Sequence, residues 1–232
     1  MAHISVLLKE VITLLDPKNG EVMIDGTAGS GGHAREILNK IGGAGKLLLM
    51  DWDKNAVTEL KKEMKNYSNV ICREGNYAEL PKIMPEINFP KADGLLLDLG
   101  FSSDQLEKSG RGFSFQKEEP LLMTYSDARE PLHSFLKKAS ISELEYVIKK
   151  FGEESYARKI AEAIFDQKGQ IKTSRDLAEV IRKSVPNSYE RGRIHPATRT
   201  FQAFRIYLNG ELENLESILK SLGEILKPGG RV

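Results

Sequence analysis

Short apolar runs alternate with amphipathic ones through the first hundred residues. Glu21-Val-Met-Ile-Asp25, Lys46-Leu-Leu-Leu-Met-Asp51, Asn69-Val-Ile-Cys72 and Ala92-Asp-Gly-Leu-Leu-Leu-Asp98 are continuous enough to be strands buried on both faces. Between them, segments near 32–41, 54–66 and 77–87 repeat at helical spacing. This alternation predicts an α/β fold: a Rossmann-like parallel sheet with ligands bound beyond the carboxyl ends of its strands. Ahead of the first run, Val6, Leu7, Val11, Leu14 and Leu15 predict a packing helix ended by Asp16-Pro17.

After Asp98 the strand pattern disappears. Ser142-x-x-Glu145 is spaced as a capping box, 153–167 has helical periodicity, and Thr173-x-x-Asp176 opens another helix. A helical insert of about a hundred residues is the reading, given the typical sizes of such elements. A last amphipathic helix is predicted from Phe201 through Leu226, and Lys227-Pro-Gly-Gly-Arg-Val232 turns the chain toward another strand.

Composition removes several classes of function. The 232 residues contain one cysteine, Cys72, and four scattered histidines, so an internal disulfide is excluded and no metal site is expected. Cys72, in an apolar run, reads as a buried inert thiol. No apolar run is long enough to span a bilayer, and the first residues lack a signal-peptide pattern, so a cytoplasmic protein is expected. The net charge is +1, but Lys172 to Arg205 carries eight basic residues against three acidic ones. That local excess fits either a phosphate contact or a solvated helical face.

Asp25-Gly-Thr-Ala-Gly-Ser-Gly-Gly32 follows a strand and precedes a helix, where glycines permit a tight turn and close approach of a ligand to backbone. Its D-x-x-x-G-x-G spacing differs from the G-x-G-x-x-G of dinucleotide folds and is close to the loop of amino-group methyltransferases. Asp51 ends the second strand, where a carboxylate accepts the ribose hydroxyls of an adenosine; Asp53 is assigned to cap the next helix. Tyr77 is either an aromatic on an adenine face or a core tyrosine. Asp98 ends the fourth strand, as an acceptor for a target amine. The sequence there reads D-L-G-F, without the paired prolines of many amino-methylating enzymes.

A set of motifs in order along the chain makes the resemblance specific. They are His3-x-x-Val-Leu-Leu-x-Glu10, the loop through His33, Leu96-Leu-Asp-Leu-Gly-x-Ser-Ser103 with Gln105-Leu106, Arg111-Gly-Phe-Ser-Phe115, Gly152-Glu-Glu154 and His195-Pro-Ala-Thr-Arg-Thr-Phe-Gln202. Together they resemble the 16S ribosomal RNA cytosine-N4 methyltransferase family, called RsmH or MraW. The resemblance implies a class I methyltransferase sheet with an inserted helical domain, S-adenosyl-L-methionine as cofactor, and small-subunit ribosomal RNA as partner. It implies cofactor contacts at Gly31, Gly32, His33, Asp51, Tyr77, Asp98 and Gln105, with Asp98 also the candidate catalytic group. Arg191, Arg193, His195 and Arg199 are the candidate phosphate contacts on RNA, with His195, next to Pro196, equally able to fix a loop, and Phe101, Phe113 and Phe115 are either base stackers or core.

The implied domains are 1–104 and 199–232 for the methyltransferase and 105–198 for an RNA-recognising insert. The chain departs from the family pattern at Leu122 and Thr124, where an aspartate and an arginine are usual. It also lacks the family's final strand and S-F-H-S-L-E-D-R segment. A sheet holding only four strands is therefore expected, with the last strands missing, little activity, and self-association through an exposed fourth strand at Leu95, Leu96 and Leu97. Two other functions stay open: a non-catalytic RNA- or partner-binding relative, and a nicotinamide-dependent oxidoreductase.

Overall fold

The computed structural model describes residues 6–100, 109–189 and 193–232. The chain divides into two compact units, one of residues 1–100 with 212–232 and the other of 101–211.

The first unit contains a five-stranded parallel sheet in the order β3-β2-β1-β4-β5. Its strands are β1 (Val22–Asp25), β2 (Lys46–Asp51), β3 (Val70–Glu74), β4 (Ala92–Leu96) and β5 (Leu226–Arg231). Successive side chains point to opposite faces, and both faces are covered. Met23, Leu47 and Leu49 pack with Ala34, Ile37 and Ile41 of α2 (Gly32–Ile41) and Leu60 of α3 (Lys54–Glu63). Ile24, Leu48 and Met50 pack on the other side with Leu80 and Met84 of α4 (Leu80–Glu86) and with Ile218 and Ile225. Double coverage is why these strands read as unbroken apolar runs.

The expectation of four strands with β4 at the edge is corrected. β5 lies beside β4, pairing Ala92 with Leu226 and Gly94 with Arg231. The Lys-Pro-Gly-Gly segment expected only as a turn is inside this strand. Gly229, at φ +81°, gives the bulge that takes up the extra residues, and Pro228 is tolerated because β5 is itself an edge. Lys227 reinforces the pairing by donating to Asp93 at 2.8 and 2.9 Å, and the Asp93 carboxylate also accepts the Val22 N–H at 2.9 Å. Leu95 is fully buried, so the basis for self-association through β4 falls away.

The helix α1 (Leu8–Leu15) forms where expected, but it packs less than its pattern suggested. Leu15 is buried, whereas Val6, Leu7 and Leu14 are exposed.

The second unit holds α5 (Leu132–Lys138), α6 (Ile141–Gly152), α7 (Ala157–Gln167), α8 (Ser174–Ser184) and α9 (Ala197–Asn209) around one apolar core. The expected boundary at 198/199 moves to 211/212, because Ala203, Phe204 and Leu208 of α9 bury themselves in this core. The helix expected to run unbroken to Leu226 stops at Gly210, which adopts φ +61° as the C-terminal cap of α9. It resumes as α10 (Glu211–Lys220) and the short α11 (Leu222–Ile225).

Two further boundaries shift for local reasons. The capping box forms at Ser140 and Glu143 rather than Ser142 and Glu145, and Glu145 instead accepts from Arg158 at 3.1 Å. The next helix starts at Ala157 because Glu153 caps α6 at φ +51°. The box at Thr173 and Asp176 is present as expected.

The Gly152-Glu-Glu154 motif has a structural purpose here. A Cβ on Gly152 would lie 2.6 Å from the Arg199 carbonyl oxygen, so this glycine sets how closely α6 and α9 approach. Glu154 is buried and accepts from the Tyr189 hydroxyl and from the Tyr156 N–H. Because the Arg199 carbonyl is backbone and cannot swing aside, Gly152→Ala is expected to destabilise the protein by about 1–3 kcal/mol despite alanine's better helix propensity. Urea unfolding of both proteins measures this, and an unchanged midpoint would show that the helices separate freely.

Candidate active site at the strand tips

The strand order reverses between β1 and β4, and the loop Asp25–Gly32 lies at that switch point, where α/β sheets bind ligands. Its backbone is tied to both neighbouring strands. The Gly26 N–H donates to the Leu96 carbonyl at 2.9 Å, and the Ala28 N–H to the Met50 carbonyl at 2.8 Å. Gly26 has no room for a side chain, since a Cβ would meet Leu97 at 2.7 Å and Tyr77 at 3.0 Å. Gly31, at φ +80°, is the left-handed residue that starts α2.

Three carboxylates surround the loop. Asp51 is buried; one oxygen accepts the Gly29 N–H at 2.8 Å and the other the Asp53 N–H at 2.9 Å. Burial pushes its pKa up, while those two N–H groups oppose the rise. Asp53 caps α3 by accepting the Asn55 N–H at 2.8 Å, as expected of it.

Asp98, beyond β4, is half-exposed and donates its backbone N–H to the Thr27 hydroxyl at 2.7 Å. Its carboxylate lies 3.9 Å from Nδ1 of His33, whose Nε2 faces the Val6 carbonyl at 3.2 Å. The loop, Asp51, His33 and Asp98 thus form one cluster.

The third acid, Asp25, was assigned no role from sequence. It is 1% exposed; one oxygen accepts the Thr27 N–H at 3.1 Å, and the other has no partner among the described residues. Burial, and then the charges of Asp51 and Asp98, push its pKa up to about 7. The available signal was a carboxylate closing an otherwise apolar strand. A negative cluster around a glycine cradle suits a ligand with an adenosine diol and a positive charge.

The remaining expected residues distribute differently. Tyr77 is 3% exposed within the sheet core, so the core alternative describes it. Trp52, next to Asp51, is the partly exposed aromatic at this end, 6.2 Å from the Tyr77 ring. Gln105, Phe101 and Arg191 lie outside the described residues.

Arg193, His195 and Arg199 belong to the second unit. Arg193 and His195 are exposed, whereas Arg199 is partly buried and donates to the Glu153 carbonyl at 3.4 Å. Part of the basic excess in this region is met by acids outside it, such as Glu118, 3.9 Å from Arg175. Arg205 pairs with Glu211 at 2.8 Å, and Arg182 and Lys183 share Glu179. Phe113 is core, stacked on Tyr125 at 5.3 Å. Thr124 is buried and binds Arg111 through its carbonyl at 2.5 Å and its hydroxyl at 3.0 Å. Cys72 is half-buried, and burial raises its thiol pKa, which keeps it unreactive. Among the described residues no cluster has the makings of a metal site.

Comparison with known proteins matches residues 1–232 to the profile of the MraW methylase family. A ribosomal RNA small subunit methyltransferase H from Syntrophotalea carbinolica is 42% identical over 99% of this chain and 74% of its own. The protein of the same name from Clostridium botulinum is 39% identical, covering 99% and 75%. That of Buchnera aphidicola is 42% identical, covering 100% and 76%.

The buried Asp25 gives the site a pH signature. Its pKa is higher folded than unfolded, so the folded state binds more protons, and stability falls as pH rises from about 4 to about 7. The rise corresponds to about 4 kcal/mol at most. Asp25→Asn is expected to remove this dependence, so that its stability relative to wild type improves between pH 5 and pH 8. Urea titrations at the two pH values test this; parallel shifts in both proteins would mean that Asp25 does not carry the proton.

Proposed function

The chain belongs to the MraW methylase family, and from that membership we propose that it methylates the N4 amino group of a cytidine in small-subunit (16S) ribosomal RNA, using S-adenosyl-L-methionine. The cluster of Asp51, Asp98 and His33 about the glycine loop is the observation that carries this reading. Membership sets aside the nicotinamide-dependent alternative, whose loop spacing the chain also lacks.

The residues present fit the cofactor. Gly29 leaves the loop backbone open to a ligand, since a Cβ there would meet nothing nearer than the Thr27 carbonyl oxygen at 3.9 Å, and one Asp25 oxygen, without a partner among the described residues, sits within a group of acids that favours a cation. Asp51 would accept the ribose hydroxyls on the lone pairs its two N–H partners leave free. Gly31, Gly32 and His33 would line the methionine end, and Trp52 would offer its ring to the adenine. When bound, S-adenosyl-L-methionine supplies a methyl group activated by its sulfonium.

Asp98 does the work on the substrate side. The cytosine amine is a weak nucleophile because its lone pair is delocalised into the ring. A carboxylate accepting its hydrogens favours the pyramidal nitrogen that attack requires, and the bond from the Asp98 backbone to Thr27 fixes where that carboxylate stands. The nitrogen sheds its proton after the methyl group arrives, so no strong base is needed. Residues 105–198 would recognise the RNA, with Arg193 among the phosphate contacts. No helix among the described residues is long and apolar enough to cross a membrane, and the cytoplasm, where ribosomal RNA is found, is the proposed location.

Transfer of label from methyl-labelled S-adenosyl-L-methionine to the RNA of small-subunit particles tests the function directly. Label in ribosomal protein would contradict it, and no label at all with cofactor bound would favour a non-catalytic relative. Asp51→Ala is expected to weaken cofactor binding by about 1.5–3 kcal/mol through loss of charge-assisted hydrogen bonds. Calorimetric titration measures this, and unchanged affinity would leave Asp51 with only its structural bonds to Gly29 and Asp53.

A further inference from the structure

His195 is grouped above with arginines, yet its surroundings differ from those of a phosphate contact. Its ring lies flat on Phe115, with centroids 4.4 Å apart and planes 15° from parallel. Phe115 in turn stands edge-on to Phe201, at 5.5 Å and 81°, and Phe201 is buried in the core of the second unit. The imidazole therefore rests on a rigid aromatic support, and the residue is exposed. Among the described residues, Phe115 is the ring that stacks on it.

The Nδ1 atom accepts the Ala197 N–H at 3.1 Å, in the first turn of α9. An acceptor at Nδ1 puts the ring proton on Nε2 and leaves the imidazole uncharged. Burial and the nearby Arg182 act in the same direction by lowering the pKa. The same bond fixes the ring plane. A neutral, immobilised aromatic ring on an exposed residue gains little from a phosphate. It is well suited to a base, because unpaired RNA bases are recognised by stacking on aromatic side chains, histidine included.

We propose that His195, backed by Phe115, is a stacking platform for an unpaired nucleobase of the RNA substrate. The proposal rests on the RNA reading above and assigns His195 a part distinct from that of Arg193. A purely structural purpose, capping α9 and covering Phe115, is the competing account. The two differ in what RNA binding requires: stacking needs an aromatic ring at position 195, whereas the structural account does not.

Binding to small-subunit ribosomal particles, followed across a salt series, separates the outcomes. His195→Ala is expected to weaken binding by roughly fivefold to a hundredfold, the range for loss of one base–aromatic stack, with no change in the slope of log affinity against log salt. His195→Phe, which keeps a flat ring without the Nδ1 acceptor, is expected to recover most of the affinity. Arg193→Ala serves as the contrast, since loss of a phosphate contact reduces the salt slope by about one.

Unchanged affinity in His195→Ala overturns the proposal, as does a salt slope that falls with it. Failure of His195→Phe to recover binding, in a protein whose thermal unfolding matches wild type, overturns it as well. Failure of the wild-type chain to bind particles at all defeats the RNA reading itself, and the proposal with it. Wild-type binding with an indifferent His195 defeats only the proposal.

Discussion

Carboxylates held out of water at adjacent strand tips are the constraint on which this structure depends. Asp25 ends β1, Asp51 ends β2 and Asp98 follows β4, so a parallel sheet in the order β2-β1-β4 brings all three to one edge. Two of them are buried, and among the described residues no lysine or arginine forms an ion pair with Asp25 or Asp51. Burying an acid without a counter-charge is costly. Here the cost is limited by backbone N–H groups from Thr27, Gly29 and Asp53, and by retention of a proton on Asp25 up to about pH 7. The same N–H groups shape the glycine loop, so the cradle and its charge have one origin. A cationic cofactor, on the function proposed above, would complete that balance.

The sheet and the loop were largely legible in the sequence, because strands covered on both faces must be apolar throughout and the acids that close them stand out. Asp53 as a cap and Thr173 as the opening of α8 were legible for a local reason, since capping depends on a few consecutive residues. What the pattern missed depends on contacts distant in sequence. Tyr77 becomes core because Gly26 leaves space for it and the sheet closes over it. Lys227-Pro-Gly-Gly looks like a turn, but Asp93, far earlier in the chain, draws Lys227 alongside β4 and makes a bulged strand. The role of Asp25 was hidden because its burial comes from neighbours on other strands.

In the second unit, part of the basic surface is taken up by ion pairs and backbone. Glu211 takes Arg205, Glu179 takes Arg182 and Lys183, and the Glu153 carbonyl takes Arg199. Most of these acceptors lie within one or two turns of their partners. Motifs that looked functional divide likewise. Gly152 and Glu154 set helix approach and satisfy buried groups, whereas the exposed His195 lies on a partly buried Phe115 and caps α9.

On the proposed function, the strand-tip cluster directs a methyl group to an exocyclic amine, which Asp98 can hold by its hydrogens, rather than to a ring carbon or a ribose hydroxyl. Digestion of labelled small-subunit RNA to nucleosides after reaction with this protein, with separation against methylated standards, tests it most directly. Label is expected in N4-methylcytidine, and is expected to be lost when Asp98 is replaced by alanine. Label in a carbon-methylated cytidine or a 2′-O-methylated nucleoside would contradict it.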